Sequence, residues 1–152
     1  MSVGILINKI RSNFKVNISF SKFYLNPNIK KTADLVLHNE TITAKDLLIK
    51  LKDGEKGTPL FFIHPIGGNV SSYEFLVGNL EVPNPVYGIQ SQGIFTDQKP
   101  LATVEEMASL YIEAIKSVQQ EGPYFILGWS FGGLIAYEIA SKLRQRGEEI
   151  QQ

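Results

Sequence analysis

Two short runs hold the residues whose types and spacing could do chemistry together. The first is Gly128-Trp129-Ser130-Phe131-Gly132, a G-x-S-x-G pattern. The apolar run Tyr124-Phe125-Ile126-Leu127 ends just before it, and a helical pattern starts just after it. A serine on such a strand-to-helix turn is held on strained backbone, with its hydroxyl above the sheet edge and free to attack an acyl carbon. Gly128 and Gly132 supply the missing side chains that so tight a turn demands. The second run is His64-Pro65-Ile66-Gly67-Gly68, directly after Leu60-Phe61-Phe62-Ile63. Here the chemistry would be electrostatic. Backbone N–H groups, those of Phe131 and Ile66, would meet the negative oxygen of a tetrahedral intermediate. Each run has a plainer reading, a glycine-rich turn with no ligand. Their order along the chain, each after an apolar strand, favours the catalytic one.

The elements that must position these runs follow from periodicity. Leu60–Ile63, Val86–Ile89 and Tyr124–Leu127 are short apolar runs of the kind buried on both faces of a parallel sheet. Helices are expected from about Ser71 to Leu80, from a Thr103/Glu106 capping box onward, and from Phe131 to Gly147. The middle helix carries Met107, Leu110, Tyr111, Ala114, Ile115 and Val118 on one stripe and is ended by Gly122-Pro123. In the last helix, Gly132, Ala136 and Ala140 form a small-residue stripe for close approach to the sheet. Alternating strands and helices imply βαβ units and an α/β fold, a parallel sheet with helices on both faces. Ahead of it, Val3, Leu6, Ile7, Ile10 and Phe14 predict a helix over 3–14. Pro27 suits a first helical position, with Ile29, Ala33, Val36 and Leu37 as a second stripe. Residues 39–57 read as a linker with room for one helical turn at Ala44–Lys50.

Composition narrows the function classes. Apolar residues make up 43% and charged residues 20%, which suits a globular chain. Lys plus Arg and Asp plus Glu are 15 each, so there is no electrostatic case for nucleic acid or an anionic membrane. Cysteine is absent, which excludes disulfides, a thiolate metal site and a Cys nucleophile. The first apolar residues are few and precede the charges, the reverse of a signal peptide, and no run approaches a bilayer span. A cytoplasmic location is the expectation.

From about Thr58 to Ile150 the chain resembles the thioesterase domains that end nonribosomal peptide and polyketide synthetases, members of the α/β-hydrolase fold. The resemblance is carried by Pro59-Leu60-Phe61-Phe62-Ile63-His64-Pro65-Ile66-Gly67-Gly68-Asn69-Val70 and by Pro85-Val86-Tyr87-Gly88-Ile89-Gln90-Ser91-Gln92-Gly93. Val104-Glu105-Glu106-Met107-Ala108, Gly122-Pro123-Tyr124 and Gly128 to Gly133 extend it. It implies acyl transfer from a carrier-bound thioester to Ser130, then release by water or by an internal nucleophile. Ile10-Arg11, Phe20 to Leu25, Asn26-Pro27 and Ile29 to Leu35 are similar to the second half of a phosphopantetheine carrier domain. The resemblance thus implies a carrier-like segment over 1–38, a linker over 39–57 and a thioesterase domain over 58–152. The implied partner is an acyl-carrier domain. No cofactor is expected on the thioesterase itself, since the acyl group rides on the carrier's phosphopantetheine. The carrier's attachment serine would fall ahead of Met1; Ser2 is out of register and reads as a helix N-cap.

A serine hydroxyl needs a base. In this fold the acid and the histidine follow the serine in sequence. No histidine follows Ser130, and Glu138, Glu148 and Glu149 read as solvated charges. His38 reads as a surface residue. His64 precedes the oxyanion-hole residue in the family motif and is not the base. The reading is therefore of only the N-terminal half of the hydrolase sheet, shortened before the next strand forms and expected to show negligible turnover alone. An apolar sheet edge and a carrier-like piece unable to close its own core would leave both parts marginal. The alternatives are a non-catalytic docking module, or one half of a split enzyme completed by a C-terminal fragment. A general esterase of the same fold is disfavoured by the carrier-like N-terminus.

Overall fold

The computed structural model of the chain describes residues 3–16, 18, 23, 28–38, 43–94 and 98–151. Its centre is a four-stranded sheet in the order β1-β3-β2-β4, with β1 Leu48–Lys52, β2 Leu60–Ile63, β3 Val86–Ile89 and β4 Phe125–Gly128. Strand β2 pairs in parallel with both neighbours, Leu60 standing opposite Val86 on one side and Phe125 on the other. The apolar run of β2 is explained by this central place. Phe61 and Ile63 enter one core, Phe62 the other.

The first core lies under two helices, α4 Val104–Lys116 and α5 Phe131–Gln145. Ala108, Tyr111, Ile112 and Ile115 of α4 and Ile135, Ile139 and Leu143 of α5 are buried in it. The second core lies under α3, Glu74–Gly78, which follows a 3-10 turn at Ser71–Tyr73. Ile49, Phe62, Val70, Tyr73, Val77 and Val86 make it up. Helices thus cover both faces, as the α/β reading requires. The capping box of α4 is present: Glu106 N donates to Thr103 Oγ1 at 3.2 Å and Thr103 N to Glu106 Oε2 at 3.3 Å. That helix closes at Lys116 rather than at Gly122-Pro123.

Two expectations need correction. First, residues 39–57 do not merely link. The turn at Ala44–Leu47 leads into β1, which runs antiparallel to β3 with Leu48 opposite Ile89. The sheet is therefore mixed. Ile49-Lys50-Leu51-Lys52 alternates apolar and charged, the period of a half-buried strand, and its lysines suit an exposed edge. Second, the next strand does begin after α5. Tyr124 N donates to Glu149 O and Gln151 N to Tyr124 O, both at 3.0 Å, a parallel bridge between Tyr124 and Ile150. The N-terminal segment packs a small cluster, while Phe14, Ile29 and Leu37 stay exposed around an apolar cavity. Its helices are α1 Val3–Phe14 and α2 Ile29–His38, and Ile7, Ile18 and Phe23 are buried with Leu35 and Val36 against them. Helix α2 opens at Ile29 with Asn28 Oδ1 accepting from Lys31 N at 2.9 Å. Pro27, Ser2 and most of Phe20 to Leu25 lie outside the described residues.

Candidate active site

Ser130 sits between β4 and α5 with φ 56° and ψ −124°. A non-glycine residue at positive φ is strained by roughly 1–3 kcal/mol and persists only where its surroundings hold it. Those surroundings are backbone. A Cβ at Gly128 would lie 2.1 Å from the Gly132 carbonyl oxygen, and one at Gly132 would lie 2.5 Å from the Ile63 oxygen. No side chain fits at either place, so the elbow glycines are fixed by contact with β2 and α5. The buried stripe of α5 is Gly132, Ile135, Ile139 and Leu143; Ala136 and Ala140 are half-buried beside it, so the close approach belongs to Gly132. Ser130 itself is exposed.

Tyr73 ties the elbow to the sheet. Its hydroxyl donates to Ile63 O at 2.8 Å and accepts from Trp129 N at 3.0 Å. Burial raises the Tyr73 phenol above its ordinary pKa, the bond to Trp129 acting the other way, so the hydroxyl stays a neutral donor.

At the facing loop, Gly68 N donates to Pro65 O at 2.9 Å and Ser91 N to Gly68 O at 2.8 Å, holding the turn against the end of β3. Ile66 is exposed above it. Among the described residues, the N–H groups of Ile66 and Phe131 donate to no protein acceptor. Phe131 opens α5, where free N–H groups and the helix dipole favour negative charge.

His64 is buried beneath this loop, 2% exposed. Its Nδ1 lies 2.7 Å from Pro65 O and its Nε2 2.7 Å from the Tyr111 hydroxyl. A carbonyl oxygen only accepts, so Nδ1 carries the proton and Nε2 accepts from Tyr111. Burial lowers the His64 pKa, the Pro65 carbonyl opposing it, and burial pushes the Tyr111 phenol up. Both ring nitrogens are therefore engaged away from Ser130. His38 is exposed on α2, its Nδ1 2.8 Å from Asp34 O. Neither histidine is placed as a base.

The carboxylates are less solvated than their sequence suggests. Glu148 is ion-paired with Lys116 and half-buried, its pKa lowered chiefly by that bond. Glu138 is paired with Lys142 at 3.6 Å on α5. Glu149 alone of the three is exposed. Among the described residues no group of three His, Cys, Asp or Glu could hold a metal, and no helix is long and apolar enough to cross a membrane.

Tyr73 and Tyr111 are the site residues that sequence reasoning missed as such. Both sit in apolar stripes where phenylalanine would pack as well. A buried tyrosine needs a partner for its hydroxyl, and that was the available signal.

Known proteins are similar to this chain in sequence and fold. The thioesterase domain family model matches residues 58–152. Polyketide synthase PksR of Bacillus subtilis is 43% identical over 122 residues, covering 80% of this chain. The chain spans 5% of that relative's length. A four-domain nonribosomal peptide synthetase, solved in its holo form with AMP and glycine, aligns over 96% of this chain and 11% of its own, with 34% identity and a TM-score of 0.68. The thioesterase domain of NocB, solved as a covalent complex with a fluorophosphonate nocardicin G analogue, covers 62% of this chain and 42% of its own, with 33% identity and a TM-score of 0.57.

Proposed function

The chain belongs to the thioesterase domain family, and from that membership we propose that Ser130 is the nucleophile that receives an acyl or peptidyl group from a carrier-bound thioester. The Ser130 oxygen attacks the thioester carbonyl carbon and loses its proton to a base. The carbonyl oxygen becomes an oxyanion held by the N–H groups of Phe131 and Ile66. Collapse breaks the C–S bond, and the phosphopantetheine thiol leaves with a proton. Water, or a nucleophile within the acyl chain, then attacks the ester and frees Ser130.

The observation that carries this reading is the strained Ser130 backbone at the head of α5, beside a Phe131 N–H that donates to no acceptor among the described residues. Strain of this kind at a strand-to-helix turn is a marker of function. Residues 1–38 are read as carrier-like and 58–152 as the thioesterase domain, to whose sheet β1, Leu48–Lys52, also belongs. The partner is an acyl-carrier domain.

The base and its orienting acid are read as coming from chain other than these 152 residues, because both histidines here have their nitrogens or their position committed elsewhere. By itself the chain is expected to turn over a negligible amount of acyl-pantetheine thioester.

Two measurements test the reading. An aryl fluorophosphonate at mildly alkaline pH should label one site, located at Ser130 by mass spectrometry and lost in Ser130→Ala. With no base to take its proton the hydroxyl reacts slowly; a label at another residue, or a rate unchanged in Ser130→Ala, refutes the nucleophile. Multiple turnovers of an acyl-pantetheine thioester, lost in Ser130→Ala, would overturn the claim that the base lies outside this chain.

A further inference from the structure

We propose that His64 is a positioning residue: by donating its Nδ1–H to the Pro65 carbonyl it fixes the Pro65–Ile66 peptide plane and so aims the Ile66 N–H at the oxyanion. This rests on the oxyanion-hole reading above and assigns the group that makes one of its two donors directional.

The Pro65 oxygen and the Ile66 nitrogen belong to one peptide unit. Among the described residues only the Gly122-Pro123 bond is cis, so this unit is trans. In a planar trans unit the C=O and N–H point in opposite directions. Holding the oxygen down in the core therefore holds the N–H up towards the site. Two donors hold it, His64 Nδ1 at 2.7 Å and Gly68 N at 2.9 Å. The Gly68 bond closes the turn but moves with it. The His64 bond reaches the loop from the core, and the ring is itself held by Tyr111 on α4, 47 residues away in sequence.

The plane turns about Pro65 ψ and Ile66 φ, and the Ile66 side chain is exposed, so no packing of that side chain fixes it. An oxyanion donor is effective because it is already aimed and has no reorganisation left to do. A neutral histidine under the loop supplies that aim without placing a charge beside the developing oxyanion.

The test uses the nitrogen-labelled chain. The residual dipolar coupling of the Ile66 N–H reports its direction, and those of the α5 amides report an unchanged frame. His64→Ala should turn the Ile66 vector while the α5 couplings hold. It should also slow fluorophosphonate labelling of Ser130 by ~10- to 100-fold, short of the full loss of a donor. His64→Asn, whose side-chain N–H lies near the place of Nδ1–H, should restore both. Tyr111→Phe frees the ring and should give a smaller change in the same direction, and it serves if His64→Ala does not fold. An unchanged Ile66 coupling in a folded His64→Ala or in Tyr111→Phe overturns the proposal, as does a turned vector with an unchanged labelling rate. Label on a residue other than Ser130 overturns the nucleophile reading instead, and the dipolar couplings then still decide what His64 does.

Discussion

The Tyr73 hydroxyl and the Trp129 amide, 56 residues apart in sequence, are joined by a 3.0 Å hydrogen bond that ties the residue before Ser130 to the second core. The same hydroxyl donates to Ile63 O, so one side chain bridges β2 and the elbow. Tyr73→Phe keeps the ring and removes both bonds. Leaving partly buried backbone groups unpaired costs about 1–3 kcal/mol. The expected outcome is a lower urea midpoint and slower phosphonylation of Ser130. Trp129, the chain's one tryptophan, sits on the elbow and reports the unfolding by fluorescence. A midpoint equal to that of the unsubstituted chain would show the bridge to be idle.

The elbow glycines separate contact from flexibility. At Gly128 an added Cβ would stand 2.1 Å from backbone oxygen, and at Gly132 2.5 Å. Backbone cannot swing aside as a side-chain tip can, so Gly128→Ala and Gly132→Ala should each cost at least ~3 kcal/mol, the upper range of overpacking. Gly78, at the end of α3, has nothing within 4 Å of its missing Cβ. Gly78→Ala should be neutral or stabilising by up to ~1 kcal/mol. Denaturant melts of the three variants check this. Equal effects at all three positions would remove the steric account of the motif.

Much of this was legible because local pattern and tertiary role agree. Leu60–Ile63 is apolar throughout because β2 is central, and the Thr103/Glu106 box forms where it reads. The G-x-S-x-G run announces its own geometry. What failed to read depended on long-range partners. Leu48–Lys52 alternates as an edge strand should, but its mate β3 lies far along the chain, and the nearby Asp53-Gly54 looked like the end of a linker. Glu148 reads as a solvated charge at a helix end, yet Lys116 of α4 comes beside it only through packing. The roles of Tyr73 and Tyr111 rest on one hydroxyl each, and a hydropathy stripe registers only the rings. His64 reads from the sequence only as a neighbour of Ile66, and its burial and the direction of its hydrogen bonds need coordinates.

Ser130 should trade stability for function. Its φ of 56° is strained for serine and easy for glycine. Ser130→Ala removes the hydroxyl but keeps a Cβ and hence the strain. Ser130→Gly removes both. Relief of about 1–3 kcal/mol of strain, less the ~0.5–1 kcal/mol that glycine loses in ordering, leaves Ser130→Gly about 1 kcal/mol more stable than Ser130→Ala. Both should lose phosphonate labelling. Thermal melts of the pair decide it, and a Ser130→Gly no more stable than Ser130→Ala would mean that the elbow carries no releasable strain.

His64 should make the fold sensitive to mild acid. Burial lowers its folded pKa below the ordinary 6.5, so the unfolded chain takes up a proton at a higher pH than the folded one. Stability from the neutral ring is then complete above about pH 6.5 and is lost as pH falls through the lowered folded value. The loss has a local cause: protonated Nε2 can no longer accept from the Tyr111 hydroxyl, and the charge sits where little water reaches it. Urea midpoints followed from pH 7.5 down to 5 should fall in the unsubstituted chain. In His64→Asn, which keeps the bond to Pro65 and cannot titrate, the profile should be flatter over the same interval. The Ile66 N–H should keep its direction over this interval, because protonation falls on Nε2 and leaves the Nδ1–H bond to Pro65 in place. Parallel pH profiles for the two chains would place the acid sensitivity elsewhere in the molecule.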